Sequence, residues 1–143
     1  SSEVVVVATP EPTSITDAYA LLKTLNRKSD FSVDGTNISM LANRISSSEE
    51  GAELYEKLRV VTEKFLQIPL TYLGAVPQDV NVSKAVIQQK PVTLLYPNAD
   101  ASKAMIRIAE KICNGTEGPQ EGKKGLAQLF SNLIKSKYRK KQE

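Results

Sequence analysis

The sequence has 143 residues, enough for one domain and too few for two of ordinary size. Its composition, 41% hydrophobic and 24% charged, is typical of a globular protein and excludes a disordered or collagen-like chain. It has a net charge of +3, a single Cys and no His, which excludes an intrachain disulfide, His-dependent catalytic triads and His-ligated zinc.

The positive charge is concentrated at the C-terminal end of the chain. Residues 1–120 hold 12 Lys and Arg against 14 Asp and Glu, a net charge of −2. Residues 121–143 hold 7 Lys and Arg against 2 Glu, a net charge of +5. A basic tail on a mildly acidic body indicates an anionic partner such as lipid headgroups, nucleic acid or an acidic protein surface. No apolar run approaches the ~20 residues that a membrane-spanning helix needs.

The chain opens with a strand predicted over residues 3–8. Its run of four valines has no polar alternation, which is typical of a parallel strand covered on both faces. The two prolines in residues 9–14 indicate that this segment neither continues the strand nor lies inside a helix. Thr13 or Ser14 is expected to cap a helix over residues 15–28.

Strands and helices then alternate along the chain. Apolar runs predict the strands, apolar residues at helical spacing predict the helices, and prolines separate them. The remaining elements, in chain order, are a strand over 37–43, a helix over 46–66, a strand over 70–76, a short helix over 82–89, an apolar run over 92–95 and a helix that opens at 97–100 and ends near 113.

This alternation predicts an α/β fold in which right-handed crossovers build a parallel sheet flanked by helices. Three strands and one apolar run are too few to surround the valine strand on both edges and both faces. We therefore expect further polypeptide N-terminal to Ser1, because a bare hydrophobic edge favours association with other chains.

Polar residues follow each predicted strand, at the end where parallel sheets bind ligands. The segments are 9–12, 43–44 and 77–79. Asn43 offers a donor and an acceptor, which suits the edge of a purine, and Asp79 with the backbone near Pro77 is a second candidate contact. Connecting loops are also polar simply because they are solvated, so the pattern alone leaves that interpretation open.

No phosphate-binding loop is present in the sequence. The nearest match, residues 118–124, has three residues instead of four between its glycines and a Lys where the metal-binding hydroxyl belongs. It lies in residues 114–125, whose four glycines and one proline predict a flexible linker. We assign no catalytic residue and no metal ligand to this chain.

A C-terminal amphipathic helix is predicted within residues 126–143. Five apolar residues recur at helical spacing as one stripe, and a cluster of Lys and Arg that includes Lys137 follows it. One interpretation is a helix that lies on an anionic membrane, and the other is a helix docked on its own domain. The apolar residues are Leu126, Leu129, Phe130, Leu133 and Ile134.

The order of these motifs resembles one known family. The segments VVVVATPEPTSITDAYALLKTL, NISMLANRI and YLGAVPQDVNVSKAVIQQKPVTLLYPNADASKAMIRIA are similar to the C-terminal half of the MinD/ParA-type deviant P-loop ATPases. Within that group they most resemble the FlhG (YlxH/FleN) family of flagellar-number regulators. The resemblance covers residues 3–113, and TPEPTSITDAYA is its most specific part.

The resemblance implies a partial P-loop NTPase-like sheet in residues 1–113 and an ATP-driven switch in the full-length protein. Such proteins form a homodimer around two nucleotides, with ATP or ADP and Mg²⁺ as ligands, and they bind the membrane until ATP is hydrolysed. The residues that match the family's adenine pocket are Asn43, Arg44, Pro77, Gln78 and Asp79.

The resemblance also implies a dimer interface at Pro10, Glu11 and Pro12 and reversible binding of residues 126–143 to the inner face of the cell membrane. The protein is then expected in the cytoplasm, with flagellar partners such as an SRP-type GTPase, switch-complex components or a transcription activator, and without nucleic acid.

The departure from the family is large, because its Walker A loop, switch I aspartate and Walker B strand are all absent from this sequence. We expect ATPase activity of the full-length protein and none of this fragment. The alternatives are a septum-placing MinD relative, a chromosome-partitioning ParA relative or a non-enzymatic interaction domain.

Overall fold

The computed structural model describes residues 3–27 and 37–114. The chain divides into two compact units, Ser1–Met105 and Ile106–Glu143, and the last described helix runs across the division. The elements, in chain order, are β1 (Glu3–Ala8), α1 (Pro12–Asn26), β2 (Asn37–Ile45), α2 (Ser48–Leu66), β3 (Thr71–Pro77), α3 (Val80–Ile87), α4 (Val92–Leu95) and α5 (Asp100–Asn114).

The three described strands form one parallel sheet in the order β1-β2-β3. Val6 of β1 lies opposite Met40 of β2, and Met40 lies opposite Tyr72 of β3. Helices α1 and α2 lie between the strands in the chain, as the crossover connections of a parallel sheet require. The predicted α/β class with a parallel sheet is confirmed.

The core of the first unit lies between one face of this sheet and the helices α1 and α2. Side chains alternate along a strand, so every second residue of β1 and β2 faces the helices. Tyr55 of α2 stacks on Tyr72 of β3 with their ring centroids 5.0 Å apart. The buried residues of this core are Val6, Ala8, Ala18, Leu22, Ile38, Met40, Ala42, Ile45, Leu54, Leu58, Ile68 and Leu70.

The opposite face of β1 is partly open among the described residues. Val5 is 39% exposed and Val7 is 55% exposed, whereas Val6 on the helix side is 3% exposed. In the described residues the valine strand is covered on one face only, which agrees with the expectation that this sequence is too short to cover it on both faces. The valine run indicates only that both faces are apolar.

The N-terminus of α1 also differs from the prediction. The helix begins at Pro12, and Glu11 is its N-cap, without a side-chain capping bond. Thr13 and Ser14 lie inside the helix, where Ser14 Oγ accepts a hydrogen bond from Thr9 N at 2.9 Å. Proline is excluded from a helix interior and favoured at the first helical position, because it has no N–H to lose there and its φ is already helical.

Other boundaries move by one or two residues. β2 continues to Ile45, two residues beyond its predicted end, and α3 covers Val80–Ile87 instead of 82–89. The apolar run over 92–95 is the one-turn helix α4. Among the described helices, none is both long and apolar enough to cross a membrane.

Candidate functional site

The carboxyl ends of the three strands come together in the first unit, as the sequence predicted. Ala8 lies opposite Ala42, and Asn43 lies opposite Val76, the residue before Pro77. Neighbouring strands are about 4.8 Å apart, so the segments that follow them share one edge of the sheet. Gln78 N donates to Ile45 O at 2.9 Å, which joins the β3–α3 loop to the end of β2.

Asn43 presents a hydrogen-bond donor at this edge. Its Oδ1 accepts a hydrogen bond from the backbone N–H of Arg44 at 3.0 Å. An amide has one oxygen and one NH₂ group, so this bond to the oxygen leaves Nδ2 as the group that can donate to a ligand. The side chain is partly exposed, which keeps it accessible.

Arg44 has an unusual backbone conformation. Its φ is 58°, in the left-handed region that non-glycine residues seldom adopt. The register between β2 and β3 shifts here, since Asn43 pairs with Val76 and Ile45 pairs with Pro77. Arg44 is thus the extra residue of a bulge, a feature that often lies beside functional sites because it redirects a side chain.

Arg44 also joins two groups of residues that the sequence assigned to different sites. Its Nη1 lies 3.6 Å from Oε1 of Glu11, and Thr9 Oγ1 donates to the other carboxylate oxygen of Glu11. Both members of the ion pair are more than half exposed, so it contributes less than about 1 kcal/mol to stability. Its consequence is geometric: the loop after β1 lies beside the end of β2.

The loop after β3 presents acceptors. Pro77 has no backbone N–H, and the N–H of Gln78 is bonded to Ile45 O. The groups that the backbone of these two residues can offer to a ligand are therefore carbonyl oxygens. Together with Nδ2 of Asn43, these carbonyls give the edge a donor beside a pair of acceptors.

Asp79 uses its side chain inside the fold. Oδ1 accepts from Asn81 N at 2.8 Å and caps α3, and Oδ2 accepts from Ala101 N at 3.2 Å at the start of α5. These backbone hydrogen bonds lower the pKa of the carboxyl, so Asp79 is a carboxylate near neutral pH. The sequence singled out Asp79 as a base contact, and the structure shows its carboxylate bound to the first turns of two helices.

The donor and acceptors suit the edge of a purine. With C6 next to a backbone carbonyl, adenine donates from its amino group, whereas guanine meets the carbonyl with its own C6 oxygen. In that orientation the residues that are present fit the base of an adenine nucleotide.

Some of the remaining predicted site residues lie at the same edge of the sheet, and the others lie outside the described residues. Pro10, Glu11 and Pro12 lie in the loop after β1 and at the first residue of α1, at the same edge as Arg44. Within residues 3–27 and 37–114, no three His, Cys, Asp or Glu side chains are grouped closely enough to hold a metal ion. The linker 114–125 beyond Asn114 and the apolar and basic residues of 126–143, Lys137 included, lie outside the described residues.

The sequence did not predict that the N-terminus of α5 takes part in this edge. Ala101 is 22 residues from Asp79, and no spacing rule joins them. The sequence does contain one indication of this contact, the helix start at 97–100. The first backbone N–H groups of any helix need an acceptor from outside the helix.

Curated proteins similar to this chain include an antiactivator and a flagellum site-determining protein. The chain is 44% identical over 112 residues to the antiactivator FleN of Pseudomonas aeruginosa, which covers 78% of this chain and 39% of FleN. It is 32% identical over 135 residues to the flagellum site-determining protein YlxH of Helicobacter pylori, covering 92% of this chain and 44% of YlxH. The chain is a FleN/YlxH homologue.

This FleN/YlxH homologue spans about two-fifths of the length of these relatives. It is also 33% identical over 132 residues to an uncharacterised ATP-binding protein of Methanocaldococcus jannaschii, covering 92% of the chain and 45% of that protein. No protein-family model matches the chain.

Solved structures of MinD share the fold of the FleN/YlxH homologue. MinD of Pyrococcus horikoshii, in complex with Mg-ADP, superposes with a TM-score of 0.56 at 20% identity, covering 78% of this chain and 41% of MinD. MinD in the MinC:MinD complex of Aquifex aeolicus superposes with a TM-score of 0.53 at 23% identity, covering 85% and 46%. The MinD-like P-loop NTPase fold that the motifs implied is thereby confirmed.

Proposed function

We propose that this chain is the base-binding part of an adenine-nucleotide switch that regulates flagellar number or placement. The observation that carries the proposal is how the groups at the strand ends are used: the bond from Arg44 N to Oδ1 of Asn43 leaves Nδ2 to donate to a base, and the bond from Gln78 N to Ile45 O leaves the carbonyls of Pro77 and Gln78 to accept. The relatives support it, because one is described as an ATP-binding protein and one structural neighbour holds Mg-ADP.

The phosphate-binding part of the nucleotide site is supplied by polypeptide that this sequence does not contain. The sequence has no loop of the form G-x-x-x-x-G-K-[ST]. In the proposal, ATP hydrolysis with Mg²⁺ belongs to the full-length gene product, and the present residues bind and orient the base. In the proposal Arg44 lies beside the base, and its ion pair with Glu11 connects the base site to the loop after β1.

The base site is tested by Asn43→Ala in the full-length gene product. Loss of one hydrogen-bond partner weakens binding of ATP by about 1–2 kcal/mol, measured by calorimetry. Asn37→Ala is the matched control, since Asn37 is the first residue of the same strand and lies at its opposite end. An unchanged affinity of Asn43→Ala for ATP would contradict the assignment.

The proposal includes a homodimer in the ATP-bound state. Pro10, Glu11 and Pro12 lie next to the base site through the ion pair of Glu11 with Arg44, so a partner copy that contacts this loop senses the bound nucleotide. Glu11→Lys places two cations together and is expected to weaken ATP-dependent dimerisation in sedimentation experiments. Equal dimerisation of the wild type with and without ATP would refute this part of the proposal.

The proposal further assigns residues 126–143 to the anionic inner surface of the cell membrane, with the rest of the protein in the cytoplasm. Burial of the five apolar residues and attraction of the basic cluster to anionic lipid both contribute to the affinity for the membrane. A dimer presents two copies of this segment and so binds more strongly than a monomer. The matched pair Phe130→Glu, on the apolar stripe, and Gln128→Glu, off it, tests this with vesicles of anionic lipid. Only Phe130→Glu is expected to abolish binding.

The partners proposed on the same basis are flagellar assembly proteins. The descriptions of the relatives support this choice, one being an antiactivator and the other a flagellum site-determining protein. The partners are therefore sought among an activator, an SRP-type GTPase and switch-complex components. Vesicle flotation and a DNA gel shift, carried out on the same protein, distinguish a membrane-binding flagellar regulator from a DNA-binding relative.

A further inference from the structure

The carboxylate of Asp79 connects three separate parts of the first unit. Asp79 directly follows Pro77 and Gln78, the residues whose carbonyls are the acceptors in the proposed base site. One of its oxygens caps α3 at Asn81 N, and the other binds Ala101 N in the first turn of α5. The loop, α3 and α5 are therefore held by one side chain.

Two backbone hydrogen bonds also restrain the loop. Gln78 N donates to Ile45 O at 2.9 Å, which fixes the loop to β2 on one side. On the other side, Val82 N donates to Asp79 O at 3.1 Å, which is a bond within the first turn of α3. Neither of these bonds reaches α5, whereas the bond from Ala101 N to the Asp79 side chain does.

We propose that Asp79 is a positioning residue for base recognition, which fixes the carbonyls of Pro77 and Gln78 by bridging the first turns of α3 and α5. The inference rests on the proposed function, because it concerns the same base site. Each carboxylate oxygen of Asp79 accepts from one backbone N–H group, so this positioning role requires no contact between the carboxylate and the base.

A carboxylate is the side chain that suits this bridge. It carries two acceptor oxygens and no donor, so it accepts from two N–H groups that approach from different helices. The N–H group of Asn81 lowers the pKa of Asp79 most, followed by those of Ala101 and Asp100, so the charge of Asp79 lies at the N-termini of both α3 and α5. Serine can cap a helix with its single oxygen but cannot also bind a second helix.

The experiment compares Asp79→Ser with Asp79→Ala in the full-length gene product. The readout is the ratio of the dissociation constants for GTP and ATP, measured by calorimetry, with thermal unfolding followed in parallel. Asp79→Ser retains the cap of α3 and loses the bridge to α5. We expect it to be more stable than Asp79→Ala, while both variants lose about tenfold in selectivity for ATP over GTP.

Tyr55→Phe is the control for a general loss of stability. It removes the hydrogen bond from Tyr55 Oη to Leu70 O, 2.7 Å long, at the opposite end of β3. We expect Tyr55→Phe to unfold at a lower temperature and to retain the wild-type ratio of GTP to ATP affinity. A loss of selectivity in this control would show that any destabilisation has the same effect, and would overturn the inference.

Two further outcomes distinguish a failure of the inference from a failure of the proposed base site. If the wild type binds ATP selectively and Asp79→Ser keeps the same selectivity, the bridge is not needed and the inference is wrong, whereas the proposed base site stands. If the wild type binds neither nucleotide, the proposed base site itself is wrong, and the role of Asp79 in it is refuted as well.

Discussion

Arg44 shows how one residue at a strand end stores backbone strain next to a candidate site. A left-handed conformation costs a non-glycine residue about 1–2 kcal/mol, and surrounding structure must hold it in place. Here the pairing of Ile45 with Pro77 resumes after the bulge, so Arg44 is fixed on both sides. The extra residue also puts Ile45 back on the buried face, where it is 6% exposed.

The strain at Arg44 predicts the order of two variants. Arg44→Gly and Arg44→Ala both lose the ion pair with Glu11, but only glycine adopts a φ of 58° without strain. We expect Arg44→Gly to be more stable than Arg44→Ala by about 0.5–1 kcal/mol in urea unfolding.

Ser39, in the middle of the same strand, provides the opposite case. The corresponding pair Ser39→Gly and Ser39→Ala should show the reverse order, because glycine weakens the interior of a strand. If alanine were the more stable substitution at both positions, the left-handed conformation of Arg44 would carry no strain.

Asp79 predicts a pH dependence of stability. The pKa of this carboxyl in the folded state is lowered from its ordinary value of 3.8, chiefly by the backbone hydrogen bonds from Asn81 and Ala101. Its contribution is therefore complete above pH 3.8 and is lost as the pH falls through the lower folded-state pKa.

Thermal unfolding measured between about pH 2 and pH 6 tests this, because the unfolding temperature of the wild type should decline toward acid more steeply than that of Asp79→Ala. Other carboxylates with lowered pKa, such as those of Glu49 and Glu56, are common to both proteins and cancel in the comparison. Parallel curves for the two proteins would contradict the role of the carboxylate.

At the scale of elements, the contact between α2 and β3 depends on a glycine. A Cβ added at Gly51 would lie 2.7 Å from Tyr72 Oη and 3.2 Å from Ala75 Cβ. The Tyr72 ring is stacked on Tyr55, so it cannot easily move aside. Helical glycine normally costs about 1 kcal/mol relative to alanine, and the close approach of the helix to the sheet outweighs that cost here.

This contact predicts that Gly51→Ala destabilises the protein by about 1–2 kcal/mol, although alanine is the better helix former. Tyr72→Phe removes the oxygen that meets the new methyl group. The double variant Gly51→Ala with Tyr72→Phe is therefore expected to recover part of the loss, with Tyr72→Phe alone as the reference in a double-mutant cycle. A Gly51→Ala protein more stable than the wild type in urea would rule out the proposed clash.

At the scale of the whole molecule, the isolated chain presents an apolar side of β1. Val5 and Val7 are 39% and 55% exposed on the face away from α1 and α2, and β1 is at the edge of the described sheet. Exposed apolar strands at a sheet edge associate with other chains. The longer relatives have more polypeptide with which to cover such a surface.

We accordingly expect residues 1–143 to self-associate in sedimentation velocity experiments. The double variant Val5→Thr with Val7→Thr keeps β-branched side chains and reduces the apolar surface, so it should shift the distribution toward monomer. Phe65→Ser is the control, since Phe65 is 63% exposed on α2 and not on the sheet. A stable wild-type monomer would refute the prediction.

The sequence by itself determined the order of elements, the parallel α/β class and the strand ends as the candidate site. These features depend on local patterns: the valine run of β1, the helical spacing in α2 and the polar residues that follow each strand. Three segments in a fixed order, of which TPEPTSITDAYA is the most specific, were enough to indicate the family.

Only the tertiary structure decided how the polar groups of the site are used. The bulge at Arg44, the hydrogen bond that leaves Nδ2 of Asn43 as the donor and the bridge from Asp79 to Ala101 all join residues through space or through backbone geometry. Local pattern indicates which faces are apolar and which residues are polar. The partner of a given donor or acceptor is set by packing of segments distant in sequence, so it is absent from any local pattern.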